Sequence, residues 1–189
     1  MRQVLAAILA VAAASGLVRA ESRPVDADRS KLTVYVYKSG LFSAFADDHV
    51  IDAPIARGTL SADGTLSVAI EVQAASLVVR DPKLSAGKRA EVQARMVGPE
   101  VLDTERFPSI AFASDRVEAS GTDRFTVSGR LTIHGQTRPV SFAAVRASGR
   151  YTGSVSVKQR DFGMTPISIA GGAVKVKDEI KIEFDIVSR

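Results

Sequence analysis

The sequence predicts an all-β domain, an antiparallel sheet arranged as a sandwich or barrel. Residues 65–73, 125–133 and 180–186 alternate between apolar and other residues. Such alternation is typical of strands with one buried and one solvated face. Turn-forming residues separate the alternating segments at intervals of about 8 to 15 residues, which leaves room for about eight to ten short strands.

The alternation also predicts which side chains share the inner face of the sheet. They are Leu66, Val68, Ile70 and Val72 in the first segment, Phe125, Val127, Gly129, Leu131 and Ile133 in the second, and Ile180, Ile182, Phe184 and Ile186 in the third. A shift of one residue in register would reverse each assignment. Asp63-Gly64, Ser148-Gly149 and Gly171-Gly172 are typical turn or loop sequences, and Asp178-Glu179 is predicted to form a solvated hairpin tip.

One segment departs from this pattern and predicts a helix. Between Ser85 and Gly98, the residues Arg89, Val92 and Met96 recur at helical spacing. Gly98 and the proline after it are a typical stop signal. We expect this helix to lie across the barrel or over its mouth.

The first twenty residues are typical of a cleaved secretory signal. Arg2 precedes an apolar run over residues 4–14, and the segment ends in Val18, Arg19 and Ala20. The run is about half of the roughly 20 residues that a membrane-spanning helix needs. We therefore predict a signal peptide over residues 1–20, one domain over residues 21–189, and a periplasmic or secreted location.

Composition excludes several classes of function. The full chain carries a formal charge of +4, and removing Arg2 and Arg19 with the signal leaves +2. The basic residues are scattered without the clustering that phosphate recognition requires, so no nucleic-acid partner is predicted. The chain has no cysteine, which excludes thiol catalysis, redox motifs and thiolate metal sites.

The two histidines are the main candidates for chemistry. His49 follows Asp47 and Asp48, but adjacent strand residues point to opposite faces, and no second histidine lies nearby to complete a metal site. A structural hydrogen bond is the favoured role of His49, with ligand contact as an alternative. His134 is predicted to be a solvent-exposed turn residue. No nucleophile elbow or phosphate-binding loop is present, and we predict no catalytic residues, no metal and no cofactor.

Four motifs in the second half of the chain resemble the YceI-like family. They are RFPSIAFAS at 106–114, VSGRLTIHGQTRPV at 127–140, RDFGM at 160–164 and VKDEIKI at 176–182. The resemblance extends over essentially the whole mature chain, with residues 48–51 and 58–60 fitting more loosely. It implies an extended, lipocalin-like antiparallel β-barrel of about eight strands with one short helix, and a long polyisoprenoid, such as an isoprenoid quinone, inside the barrel.

One segment differs from the family pattern. Many members have an Arg-Asp-x-His-Leu-like stretch before the Phe-Pro motif, whereas residues 89–97 here read RAEVQARMV. We therefore expect the helix to cover the pocket differently from the helix of those members.

We thus expect a non-enzymatic protein that carries or stores an apolar isoprenoid-type lipid, with at most transient membrane contact. A homodimer is compatible with the sequence. The alternative is an envelope or stress protein whose barrel is filled by its own side chains and whose surface binds a partner protein. The residues predicted to line the lumen and contact the ligand are Phe42, Phe45, Val68, Ile70, Phe112, Leu131, Phe142, Ile182 and Phe184.

Overall fold

The computed structural model describes residues 22–39, 48–61, 66–169 and 174–189. The predicted signal over residues 1–20 lies outside the described residues. So do Phe42 and Phe45, and the turn sequences at residues 63–64 and 171–172.

The described residues form twelve strands and one α-helix, and eight of the strands have seven residues or more. The strands are β1 (Ser22–Pro24), β2 (Lys31–Ser39), β3 (His49–Asp52), β4 (Ile55–Ser61), β5 (Ser67–Gln73), β6 (Val78–Val79), β7 (Ser109–Gly121), β8 (Arg124–Ile133), β9 (Gln136–Ala147), β10 (Arg150–Lys158), β11 (Ser168–Ile169) and β12 (Val174–Val187). The helix α1 spans Ala86–Val97, and short 3-10 helices span Ala74–Ser76 and Gln159–Phe162.

All strands belong to one antiparallel sheet. Eleven follow one another in the order β1-β4-β5-β7-β8-β9-β10-β12-β2-β3-β6, and β11 pairs with β12. The sheet curls on itself, because the segment after β1 contacts strands that are far apart in this order. The Val25 amide donates to the Gly58 carbonyl in β4 at 2.9 Å, and Val25 forms a β-bridge with Ser188. The predicted fold class, a curled antiparallel barrel with one helix, is confirmed.

The hairpin register follows from tight turns. His134 and Gly135 join β8 to β9 with φ of 50° and 69°, and Ser148 and Gly149 join β9 to β10 with φ of 49° and 76°. Two-residue turns with both φ values positive match the twist of the flanking strands. The predicted alternation holds through β8, where Leu131 is buried and its neighbours are not.

The prediction of a hairpin tip at Asp178-Glu179 is wrong. Both residues lie inside β12, where the pairing with β2 is interrupted between Val176 and Ile180. On the other side of β12, Glu179 pairs with Lys158 of β10. The charged pair coincides with an irregularity in the strand pairing, and this irregularity is a bulge within β12 and not a turn.

The helix prediction is confirmed to within one residue at each end. The hydroxyl of Ser85 caps α1 by accepting from the Lys88 amide at 3.4 Å, and Gly98 follows its last residue. The amide side chain of Gln93 ties the helix to the segment around β6. It donates to the Leu77 carbonyl and accepts from the Val79 amide, both at 2.8 Å. Met96 is the buried residue of α1 and belongs to the main core.

Candidate functional site

The curled sheet encloses an elongated cavity of about 510 Å³. Its walls are almost entirely apolar, and they come from the eight long strands, from α1 and from the segment that follows the helix. Among the described lining residues, Asp123 and Arg146 are the charged ones. A cavity of this size and character is typical of a site for a small apolar ligand.

One end of the cavity is closed by packed side chains. The lining residues Met96 and Leu102, from α1 and the loop after it, are buried against Ile133 at the end of β8. Met164, after the second 3-10 helix, completes this cluster, and the nearby ring of Phe162 is 1% exposed. The helix therefore acts as a plug at this end.

The opposite end is open. There the lining residues lie next to the turn between β7 and β8, and Ala119, Gly121 and Arg146 are exposed. The rings of Phe125 and Tyr151 are half-buried at the same end, with their centroids 6.1 Å apart. We therefore call this end of the cavity, beside the turn between β7 and β8, its mouth.

A polar cluster stands in this mouth. The Arg146 Nε donates to Asp123 Oδ1 at 2.8 Å, and Arg146 Nη2 lies 2.7 Å from the same oxygen. The backbone amide of Arg146 also donates to the Asp123 carbonyl at 2.8 Å. The hydrogen bond to Asp123, followed by one to Tyr151, raises the pKa of the Arg146 guanidinium. This group is therefore a fixed cation at the rim of an apolar cavity.

The structure brings together seven of the nine residues that the sequence predicts to line the lumen. All seven side chains face the cavity, although their contact with a ligand stays a prediction. They are Val68, Ile70, Phe112, Leu131, Phe142, Ile182 and Phe184. The other two, Phe42 and Phe45, lie outside the described residues.

Three of these residues form an aromatic belt around the cavity. The ring centroid of Phe142 lies 5.4 Å from that of Phe112 and 5.2 Å from that of Phe184. Two glycines leave the space that the rings of Phe112 and Phe184 occupy. A Cβ at Gly129 would lie 2.8 Å from the Phe112 ring, and a Cβ at Gly153 would lie 2.5 Å from the Phe184 ring. Phe112 and Phe184 thus rest directly on strand backbone.

Neither Arg146, one of the scattered basic residues, nor Tyr151 is among the residues that the sequence predicts to line the lumen. A signal was present, because Val140, Phe142, Ala144 and Arg146 alternate along β9 and share its inner face. Asp123 lies in the turn between β7 and β8. Its place beside Arg146 depends on the pairing of β8 with β9, which local sequence does not reveal.

His49 lies near the closed end and forms the predicted structural hydrogen bond. Its Nδ1 lies 2.5 Å from Asp81 Oδ2, while Asp81 Oδ1 accepts from the Val50 amide at 2.7 Å. Asp81 is 2% exposed and links β3 to the loop before α1. Within the described ranges, no group of three His, Cys, Asp or Glu residues is arranged to hold a metal ion.

The prediction of a solvent-exposed His134 is wrong in part. His134 does lie in a turn, but it is half-buried, with its ring centroid 4.3 Å from that of Phe107. Its Nδ1 lies 3.3 Å from the Phe162 carbonyl oxygen. The turn folds back onto the closed end of the barrel, so its side chain has neighbours that are distant in sequence.

The fold and cavity define a lipocalin-like antiparallel barrel with an apolar lumen, closed at one end and open at the other. Residues 24–188 match the model of the YceI-like domain, and the chain belongs to this family. The predicted family membership is confirmed.

Proteins of several bacteria are similar in sequence to this chain. A UPF0312 protein of Shewanella sp. strain W3-18-1 is 28% identical over 143 residues, which cover 69% of this chain and 65% of the relative. The chain therefore spans somewhat less than two thirds of that relative's length. A UPF0312 protein of Vibrio cholerae serotype O1 strain M66-2 is 26% identical over 172 residues, covering 75% of this chain and 89% of the relative.

Two solved structures share the fold at low sequence identity. BcnA of Burkholderia cenocepacia superposes with a TM-score of 0.69 at 18% identity, covering 87% of this chain and 99% of BcnA. A polyisoprenoid binding domain from Saccharophagus degradans, implicated in plant cell wall breakdown, superposes with a TM-score of 0.56 at 13% identity. That match covers 86% of this chain and 95% of the domain.

Proposed function

We propose that this protein binds an isoprenoid-type lipid in its barrel and carries or stores it outside the cytoplasm. The observation that supports this most directly is the apolar cavity of about 510 Å³ that the side chains of the described residues leave unfilled. The Saccharophagus neighbour, described as a polyisoprenoid binding domain, supports the same ligand class. The unfilled lumen also disfavours the alternative of a self-filled barrel.

Such a site can hold its ligand by apolar burial alone, without a covalent or ionic anchor. Burial of apolar surface stabilises a complex by roughly 0.8 kcal/mol per methylene group. A prenyl chain offers many such groups, and the lining from Ile70 to Ile182 presents branched aliphatic and aromatic surfaces to them. We assign the protein no catalytic step, because the charged groups of the mouth are a salt-bridged arginine and aspartate rather than a nucleophile with a base.

The proposed location follows from the signal-like first twenty residues, which predict export to the periplasm or beyond. In the described ranges, no helix is both long and apolar enough to cross a membrane. A carrier of this kind would meet a membrane only to load or release its lipid.

The test is extraction with organic solvent of protein purified from its native compartment, followed by mass spectrometry of the extract. A prenyl lipid at about one molecule per chain is the expected result. An empty extract, together with no uptake of added prenyl lipids by the folded protein, would overturn the proposal and favour a barrel that serves a protein partner.

A further inference from the structure

The mouth of the cavity differs chemically from the rest of its lining. Along the described walls, Arg146 is the one basic residue and Asp123 the one acidic residue, and they contact each other. Both are partly exposed, at 46% and 44% of their side-chain surface. A ligand that fills the lumen must therefore present its outer end to this pair.

The guanidinium of Arg146 retains hydrogen-bonding capacity. It has five N–H donors. Its contacts with Asp123 and Tyr151 use at most three of them. Because those contacts hold the group in one orientation, little side-chain freedom is lost when a ligand accepts the remaining donors.

The charge of this cluster favours some head groups over others. Asp123 compensates the charge of Arg146, and no second basic side chain from the described lining lies beside them. A diphosphate, with two or more negative charges, would meet a carboxylate and one already paired cation. An uncharged head with carbonyl or hydroxyl oxygens accepts from the free donors without that repulsion.

Aromatic surfaces in the mouth suit a flat head group. The Arg146 guanidinium carbon lies 5.9 Å from the Phe125 ring centroid, and the Tyr151 ring stands beside Phe125. Both rings are half-buried and line the cavity. A planar ring that carries acceptor oxygens would stack there while its tail extends towards α1.

We propose that Arg146, oriented by Asp123 and Tyr151, is the head-group site of the bound lipid, and that it selects an uncharged, acceptor-bearing head over a prenyl diphosphate. This inference rests on the proposed function. It sets the direction of the ligand, with the head at the mouth and the tail at the plug formed by α1. It also makes Arg146 the residue that determines specificity within a largely unspecific apolar lumen.

The experiment compares three probes with equal prenyl chains, namely a prenyl quinone, a prenyl diphosphate and a prenyl hydrocarbon. The protein is used as purified after export, and each probe competes against a fluorescent prenyl lipid. We expect the quinone to bind about tenfold more tightly than either of the others, as a hydrogen bond from a charged donor would give. In Arg146→Met this preference disappears, while hydrocarbon binding is unchanged.

Two further variants make the test specific. Arg150→Met is the matched control, because Arg150 is also paired with an aspartate, through Nε to Asp185 Oδ1 at 2.8 Å, but does not line the cavity. We expect it to keep the full quinone preference. Tyr151→Phe keeps the ring and removes the hydroxyl that orients Arg146, so we expect an intermediate preference even if Arg146→Met does not fold.

The outcomes separate the two proposals. A quinone preference that survives in both Arg146→Met and Tyr151→Phe, or a wild-type preference for the diphosphate, would overturn the head-group site and leave lipid carriage standing. Failure of the wild-type protein to bind any of the three probes would overturn lipid carriage itself, and the head-group site with it.

Discussion

The ring of Phe184 in β12 lies against the backbone of Gly153, its register partner in β10. A Cβ at Gly153 would lie 2.5 Å from this ring and would also overlap the Ala143 carbonyl of β9. The glycine therefore lets the Phe184 ring of β12 pack directly on the backbone of β10. The same arrangement recurs at Gly129, beneath Phe112.

This contact predicts that Gly153→Ala destabilises the protein by about 1–3 kcal/mol, the usual cost of overpacking. The measurement is urea unfolding of both proteins. Gly87→Ala is the control, because a Cβ at Gly87 meets nothing within 4 Å and alanine favours the helix. A Gly153→Ala protein as stable as the wild type would show that the Phe184 ring can move aside at no cost.

The cavity predicts a contrast between neighbouring positions of β5. Val68 lines the lumen, whereas Ala69 is exposed on the outer face. Val68→Trp should therefore reduce binding of a prenyl lipid at least tenfold by occupying the lumen, and Ala69→Trp should leave it within about twofold. Titration with a fluorescent prenyl lipid measures both. Equal binding by the two variants would mean that the ligand lies elsewhere.

The buried carboxylate of Asp81 predicts a large loss of stability on truncation. Asp81→Ala removes the partner of His49 and leaves the Val50 amide without its acceptor. We expect a cost of about 3 kcal/mol in the free energy of unfolding. Asp161→Ala, at an exposed position, is the control and should change stability by less than about 0.5 kcal/mol.

The same pair predicts the behaviour of His49→Ala. The variant should lose about 1 kcal/mol of stability, because Asp81 keeps its bond to the Val50 amide. Lipid binding should stay nearly intact, since His49 does not line the cavity. Loss of lipid binding in a folded His49→Ala protein would contradict a purely structural role.

The outer face of β12 predicts a modest dependence of stability on pH. Lys181, whose Nζ lies 2.7 Å from Glu183 Oε1, lowers the pKa of the Glu183 carboxyl by hydrogen bonding, and Tyr35 adds to the effect. Because the folded-state pKa lies below the unfolded value, this stabilisation is present above about pH 4.5 and lost as the pH falls through the folded-state pKa.

Glu183→Gln should accordingly lower Tm at pH 7 and match the wild type at the acid end of the range. Thermal unfolding from pH 7 to pH 3 measures the closing gap between the two proteins. Glu179→Gln, an exposed position of the same strand, is the control and should show a constant difference. If the difference in Tm between Glu183→Gln and the wild type instead grew as the pH fell, the predicted direction of the pH dependence would be wrong.

Much of the cavity wall could be predicted from alternation alone. Val68, Leu131 and Ile182 each occupy the apolar phase of a strand, and one buried face is enough to fix that phase. Helix α1 was equally predictable, because Ser85 and Gly98 are local signals whose meaning does not depend on distant contacts. The bulge at Asp178 was not, since charged residues suit a turn and an irregular strand alike.

The sequence by itself determined the β class, the inner phase of the main strands, the helix and the family. Only the tertiary structure decided that Asp123 meets Arg146 in the mouth, that Asp81 holds His49, and that Phe184 lies on Gly153. The physical reason is that alternation and capping depend on residues a few positions apart. Pairs across the barrel depend instead on strand order and register, which the whole chain settles together.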